Sequence, residues 1–109
     1  MTAMKITRVQ IVLMAEEKLK AFVTIALDNC FVIHDVKVIN GADGLFVAMP
    51  TKLRKDGTFK DLAHPLDSET REWMENVILD EYERELDQAA RREATKWVAR
   101  ADGKGRDEK

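Results

Sequence analysis

Four cations fall within nine residues near the middle of the chain: Lys52, Arg54, Lys55 and Lys60. Set against Asp56 and the adjoining Asp61, they give residues 52–61 a local charge of +4 − 2 = +2 in a chain whose formal net charge is −2. Ammonium and guanidinium groups on an adaptable loop are what phosphate oxygens bind, so the chemistry on offer is anion recognition. Composition alone leaves a second reading open, a merely solvated hairpin tip. Arg71 follows the segment, in what reads as the first turn of a helix. From there it could reach the same ligand, where first-turn backbone amides also meet phosphate.

Covalent and metal chemistry have far less to work with. Ser68, His64 and Asp67 name a nucleophile, base and orienting acid on paper, but Ser68 is the sole serine and sits where a helix cap belongs. No nucleophile elbow or glycine-rich oxyanion loop accompanies it, which argues against a hydrolase. His34 and His64 lack Cys or His neighbours at zinc-ligand spacing, so each reads as structural, His64 as the tie of a strand-to-helix corner. No GxGxxG or GxxxxGK[ST] is present, so no cofactor is expected. Cys30 is the only cysteine and cannot form an internal disulfide; it is expected to be a buried, inert thiol suited to a reducing cytoplasm. The reading is of a protein without catalytic residues and without a small-molecule substrate.

Length and composition bound the rest. A chain of 109 residues is expected to form one core, with residues 1–99 as a single α+β domain and 100–109 as a disordered tail. Hydrophobic residues at 45% and charged residues at 35% fit a globular protein, and no apolar run reaches the roughly 18–20 residues that span a bilayer. Lys5, Arg8 and Gln10 interrupt any export signal, so a cytoplasmic location is expected. An acidic chain does not coat nucleic acid by bulk charge, and any such site must be a local patch.

The elements that must position the basic segment can be read from periodicity. Val9, Ile11 and Leu13 alternate with Arg8, Gln10 and Val12, the period of a half-buried strand. After Ala15–Lys18 the chain returns through Leu19–Leu27, again alternating, and Asp28–Asn29 supplies the next turn. A third strand is expected over Cys30–Ile39, with Asp35 and Lys37 on the face of Phe31 and Ile33. Asn40–Gly41 and Asp43–Gly44 turn the chain into Leu45–Met49, completing an antiparallel meander. Pro50 ends that strand, Asp56–Gly57 folds the basic segment into a hairpin, and Phe59–Ala63 returns. Phe22, Phe31, Phe46 and Phe59 all sit in apolar strand patterns and are expected in the core rather than stacked on bases.

His64–Pro65 breaks the strand, and Asp67 or Ser68 caps a helix that meets no glycine or proline before about Ala99. Met74, Val77, Ile78 and Tyr82 form its apolar stripe, and its interleaved Arg and Glu residues read as a face of ion pairs. At about 45 Å the helix outruns a small sheet, so Trp97 is expected against a second subunit; the alternative is a non-catalytic interaction module whose long helix and Trp97 dock onto a division or transcription protein.

FVAMP, then a basic loop with Asp-Gly, then D-x-AHP and SETRE, together with MKITRVQI and DNCFVIHDVKVI, resemble the stage V sporulation protein G family, the septation regulators. The resemblance covers roughly Met4–Arg84. It implies a small α+β homodimer that binds DNA and RNA and regulates gene expression, with links to sporulation and septation. The residues matching the family's nucleic-acid contacts are Lys52, Arg54, Lys55, Lys60 and Arg71. The chain departs from the family pattern in its Lys-Leu-Arg-Lys loop and in Trp73-Met74 after SETRE.

Overall fold

The computed structural model describes residues 4–101, and of 94–101 the backbone only. Six strands precede one helix: β1 (Ile6–Leu13), β2 (Leu19–Leu27), β3 (Phe31–Gly41), β4 (Gly44–Ala48), β5 (Thr51–Leu53), β6 (Phe59–Asp61) and α1 (Ser68–Ala101). The first four pair in chain order, β1-β2-β3-β4, and every pairing is antiparallel; β5 and β6 form a separate two-stranded sheet. The α+β meander, hairpin and long helix read from the sequence are thus all present.

One face of the four-stranded sheet carries the core. Ala21, Val23, Ile25 and Leu27 of β2, Val36 and Val38 of β3 and Val47 of β4 are buried together with Met74, Ile78 and Tyr82 of α1. The three helical residues are spaced by four, one stripe on an α-helix. Each fully buried Val or Ile of this set contributes about 1.5–3 kcal/mol of transfer free energy. Burial also pushes the Tyr82 phenol up from its usual ionisation range. The helix contacts β1 and β4, the two edges of the sheet, so it lies across the whole face.

Asp28 and Asn29 both adopt positive φ, 52° and 54°, as expected of short Asx side chains in a tight β-turn, and the Cys30 amide donates to the Leu27 carbonyl at 3.0 Å. This turn corrects the expectation for Cys30. It is the last turn residue rather than the first of β3, and its thiol is exposed.

The face expected for Asp35 is also corrected. Ile25 pairs with Ile33 but Val23 pairs with Val36, so β3 holds one more residue than β2 over that interval. The extra residue is a bulge with Asp35 at φ 64°. A bulge reverses the alternation, and Ile33 therefore shares the helix-covered face with Val36 and Val38 instead of with Lys37. At the other end β3 runs through Gly41, which pairs with Gly44, and the turn is only Ala42–Asp43.

The phenylalanines leave the core as well. Phe31, Phe46 and Phe59 are 61%, 44% and 69% exposed, and Phe22 is only half-buried. The β-branched residues already fill the space under α1. Phe22 and Phe46 fall on the opposite alternation, Phe31 lies at the end of its strand, and Phe59 belongs to the separate hairpin.

Asp67 is the helix cap. Its Oδ1 accepts the Thr70 amide at 2.7 Å, and that bond holds its carboxyl below the usual carboxylate range. His64 stands within 2.9 Å of the Pro65 carbonyl through Nδ1, tying down the corner as its sequence position implied. The expectations placed on Trp97 and on residues 102–109 lie outside the described residues.

Candidate nucleic-acid interface

Pro50 begins the basic segment, and its ring has no N–H to lose from a ladder. Its carbonyl accepts the Leu62 amide at 2.8 Å and closes the base of the β5–β6 hairpin. At the tip the Arg54 amide donates to the Thr58 carbonyl at 2.7 Å and the Gly57 amide to the Arg54 carbonyl at 3.0 Å. Gly57 takes φ 90°, a backbone that other residues rarely adopt. Asp56 Oδ1 accepts the Thr58 hydroxyl at 2.7 Å and the Thr58 amide at 3.0 Å. These bonds, the hydroxyl's foremost, hold the Asp56 carboxyl below its usual range.

This tip sets the register, and the register sets the charge pattern. A two-residue turn at Asp56–Gly57 would have placed Lys52 opposite Asp61. The longer loop pairs Lys52 with Lys60, Leu53 with Phe59 and Thr51 with Asp61. Two ammonium groups directly across an antiparallel pair repel one another. Among the described residues neither Lys52, Arg54, Lys55 nor Lys60 has a carboxylate in ion-pair contact, and all four are exposed. An anion placed between Lys52 and Lys60 would relieve that repulsion. The other face of the ribbon carries Leu53 and Phe59, both mostly exposed, beside Thr51 and Asp61.

Arg71 differs from the other four. It lies in the first turn of α1 with its guanidinium 3.7 Å from Glu75 Oε2, and the same oxygen accepts the Val47 amide of β4 at 3.4 Å. The hairpin therefore brings Lys52, Arg54, Lys55 and Lys60 onto one element. Arg71 stands on another, engaged with a carboxylate that is itself tied to the sheet. Further along the helix, Arg84, Arg91 and Arg92 pair with Glu81, Asp87 and Glu85 at 2.7–3.2 Å, the ion-paired face that the charge pattern implied.

Neither composition nor alternation marks Leu53 and Phe59 as an exposed apolar pair, because that depends on the loop register. The facing of Lys52 and Lys60 depends on the same register, whose pivot is Asp56 rather than the Asp56–Gly57 pair.

Comparison with known proteins gives a consistent match. The family model described as SpoVG matches residues 4–84, most of the chain. A relative named "Putative septation protein SpoVG" from Anaeromyxobacter dehalogenans strain 2CP-C is 66% identical over 87 residues, 80% of this chain and 86% of the relative. Proteins of the same name from Myxococcus xanthus strain DK1622 and Clostridium perfringens strain SM101 are 64% and 54% identical. Those alignments cover 79% and 74% of this chain and 87% and 91% of the relatives.

Proposed function

The chain belongs to the SpoVG family, and from that premise we propose that it is a nucleic-acid-binding regulator of gene expression, acting in septation as its relatives' names indicate. The observation that carries this reading is the β5–β6 hairpin, where Lys52 faces Lys60 with no carboxylate partner among the described residues. A surface of that kind costs folding free energy and gains it back when phosphodiester oxygens enter. Lys52, Arg54, Lys55 and Lys60 supply the phosphate contacts. Arg71 joins them by exchanging Glu75 for a phosphate. The reading assigns no catalytic step, cofactor or small-molecule substrate to the protein, and places it in the cytoplasm. Among the described residues no helix is long and apolar enough to cross a membrane.

The same reading makes the chain a homodimer. Tyr82 is the last buried residue among those described, yet α1 continues to Ala101 and leaves Leu86 exposed. A second copy covering that overhang doubles the number of basic hairpins. Sedimentation at micromolar concentration tests this; a monomer there removes the paired-hairpin footprint.

Binding to duplex DNA and to RNA, measured across a salt series, tests the hairpin. Affinity is expected to fall steeply with salt and to drop at least tenfold in the Lys52→Ala, Arg54→Ala double variant. Unaltered binding in that variant would rule the hairpin out.

A further inference from the structure

The helix covers one face of the four-stranded sheet, and the opposite face has no element of this chain packed over it among those described. The register fixes what that open face displays. Arg8 lies beside Ala26, Gln10 beside Thr24, and Lys37 beside both Phe22 and Ala48. Ile39 pairs with Phe46 at the far end. The bulge at Asp35 puts His34 on this side, where its Nδ1 stands 3.5 Å from Thr24 Oγ1.

Two properties of this face point to one class of ligand. The first is charge. Arg8 and Lys37 are cations and the regular strand positions of the face contain no carboxylate, although the chain has more acids than bases. Asp35 at the bulge and Glu17 beside Ile39 and Phe46 stand at its margins. Neither Arg8 nor Lys37 has an ion-pair partner among the described residues. The second is shape. Arg8, Gln10, Thr24 and His34 surround a shallow depression of about 230 Å³ floored by Ala26 and Val32. Phe22 and Phe46 lie further along the same face. Phe46 is held against the backbone: a Cβ on Gly41 would come within 2.8 Å of its ring.

We propose that the open face is a platform for single-stranded nucleic acid, with Arg8 and Lys37 on the phosphates, Phe46 and Phe22 against bases, and the Arg8–His34 depression taking the edge of one base. Aromatic side chains on an open sheet accept any base by its π-face, and neighbouring cations follow the backbone; a duplex hides its bases and cannot use them. The depression offers what a base edge requires, a guanidinium, an amide, a hydroxyl and an imidazole around an apolar floor. This inference rests on the nucleic-acid reading given above and deepens it, dividing the labour between a hairpin that binds any phosphate backbone and a face that selects unpaired strands.

Fluorescence anisotropy with a labelled dodecamer tests the division, using unstructured oligo-dT, oligo-U and a duplex DNA of equal length. Phe46→Ala is expected to weaken both single strands by roughly five- to a hundredfold, the range for losing one stacked base, while duplex binding stays within twofold. Arg8→Ala is expected to flatten the single-strand salt dependence by about 0.7 in log–log slope. The DNA and RNA arms tell which sugar the face prefers. The proposal is overturned if Phe46→Ala and Arg8→Ala leave single-strand binding intact while Lys52→Ala with Arg54→Ala abolishes it, an outcome that spares the hairpin. It is equally overturned if Phe46→Ala turns a dimer into a monomer with single-strand binding unchanged, which would make the face an interface between copies. Circular dichroism of each variant, expected to match the parent, excludes unfolding as the cause.

Discussion

The β5–β6 hairpin and the helix α1 both carry several cations, but the fold treats them in opposite ways. In α1, Arg71, Arg84, Arg91 and Arg92 each have a carboxylate of the same helix at 2.7–3.7 Å, from three or four residues away for the first three and from seven, two turns back, for Arg92. In the hairpin, Lys52 faces Lys60, and the nearby carboxylate of Asp56 accepts bonds from Thr58 in the turn. A helix brings residues three and four apart together, and sequence can place an acid at that spacing. A two-stranded ribbon brings together residues on either side of its loop, so one added loop residue decides whether a lysine meets an aspartate or another lysine. Cation count is therefore a poor guide to a binding surface. What stands opposite each cation is a better one.

The contrast can be broken most decisively through stability. Ile78→Ala removes the centre of the helical stripe and is expected to lower the unfolding free energy by about 2–5 kcal/mol in urea. Lys52→Ala, by contrast, should leave it unchanged or raise it. A clear loss for Lys52→Ala would mean the hairpin lysines are structural after all. Next in size is ligand affinity: single alanine variants at Lys52, Arg54 or Lys60 should each weaken nucleic-acid binding severalfold at low salt, whereas Arg91→Ala should change it by less than twofold.

Lys60→Glu sharpens the comparison by giving the hairpin the pairing that the helix already has. Amide exchange at Leu53 and Phe59 should slow as Lys52 gains a partner, while affinity for nucleic acid falls. Faster exchange would show that the facing lysines do not repel.

A smaller effect is expected at the helix start. The Asp67 carboxyl is held below its usual range by the Thr70 amide, so the folded state favours the ionised form. Its contribution is fully present above the ordinary aspartate pKa of about 3.9 and disappears as pH falls through the lower folded value. Asp67→Ala should therefore lower Tm by a few degrees at pH 7 and by progressively less in acid; a pH-independent difference would mean the cap acts by packing rather than charge. Smallest of all, Arg84→Ala should change stability by no more than about 0.5 kcal/mol, as is usual for an exposed ion pair.

Much of the architecture was legible because it follows from short-range chemistry. Alternation in Val9–Leu13 and Ala21–Leu27 marked the strands, Asp28–Asn29 marked a tight turn, and Asp67–Ser68 marked the helix start. Misreadings arose where one residue changed the phase. The bulge at Asp35 moved Ile33 to the covered face, and the turn ending at Cys30 moved that thiol into solvent. The phenylalanines were misplaced for another reason: hydrophobicity says that a side chain favours burial, but the volume under α1 was already taken by Val23, Ile25, Val36 and Val38. At the candidate site, the identity of the cations was legible and their facing arrangement was not.

The placement of α1 across β1 and β4 has a consequence for how the chain is made. The meander needs only neighbours in sequence and can pair as it emerges, but its apolar face has no cover until Met74, Ile78 and Tyr82 leave the ribosome. During that interval a half-made chain displays a sheet with one greasy side. Nascent chains with residues only up to about 70 outside the ribosome should accordingly bind a hydrophobic dye or a holding chaperone, and chains with residues well past 82 outside should release it.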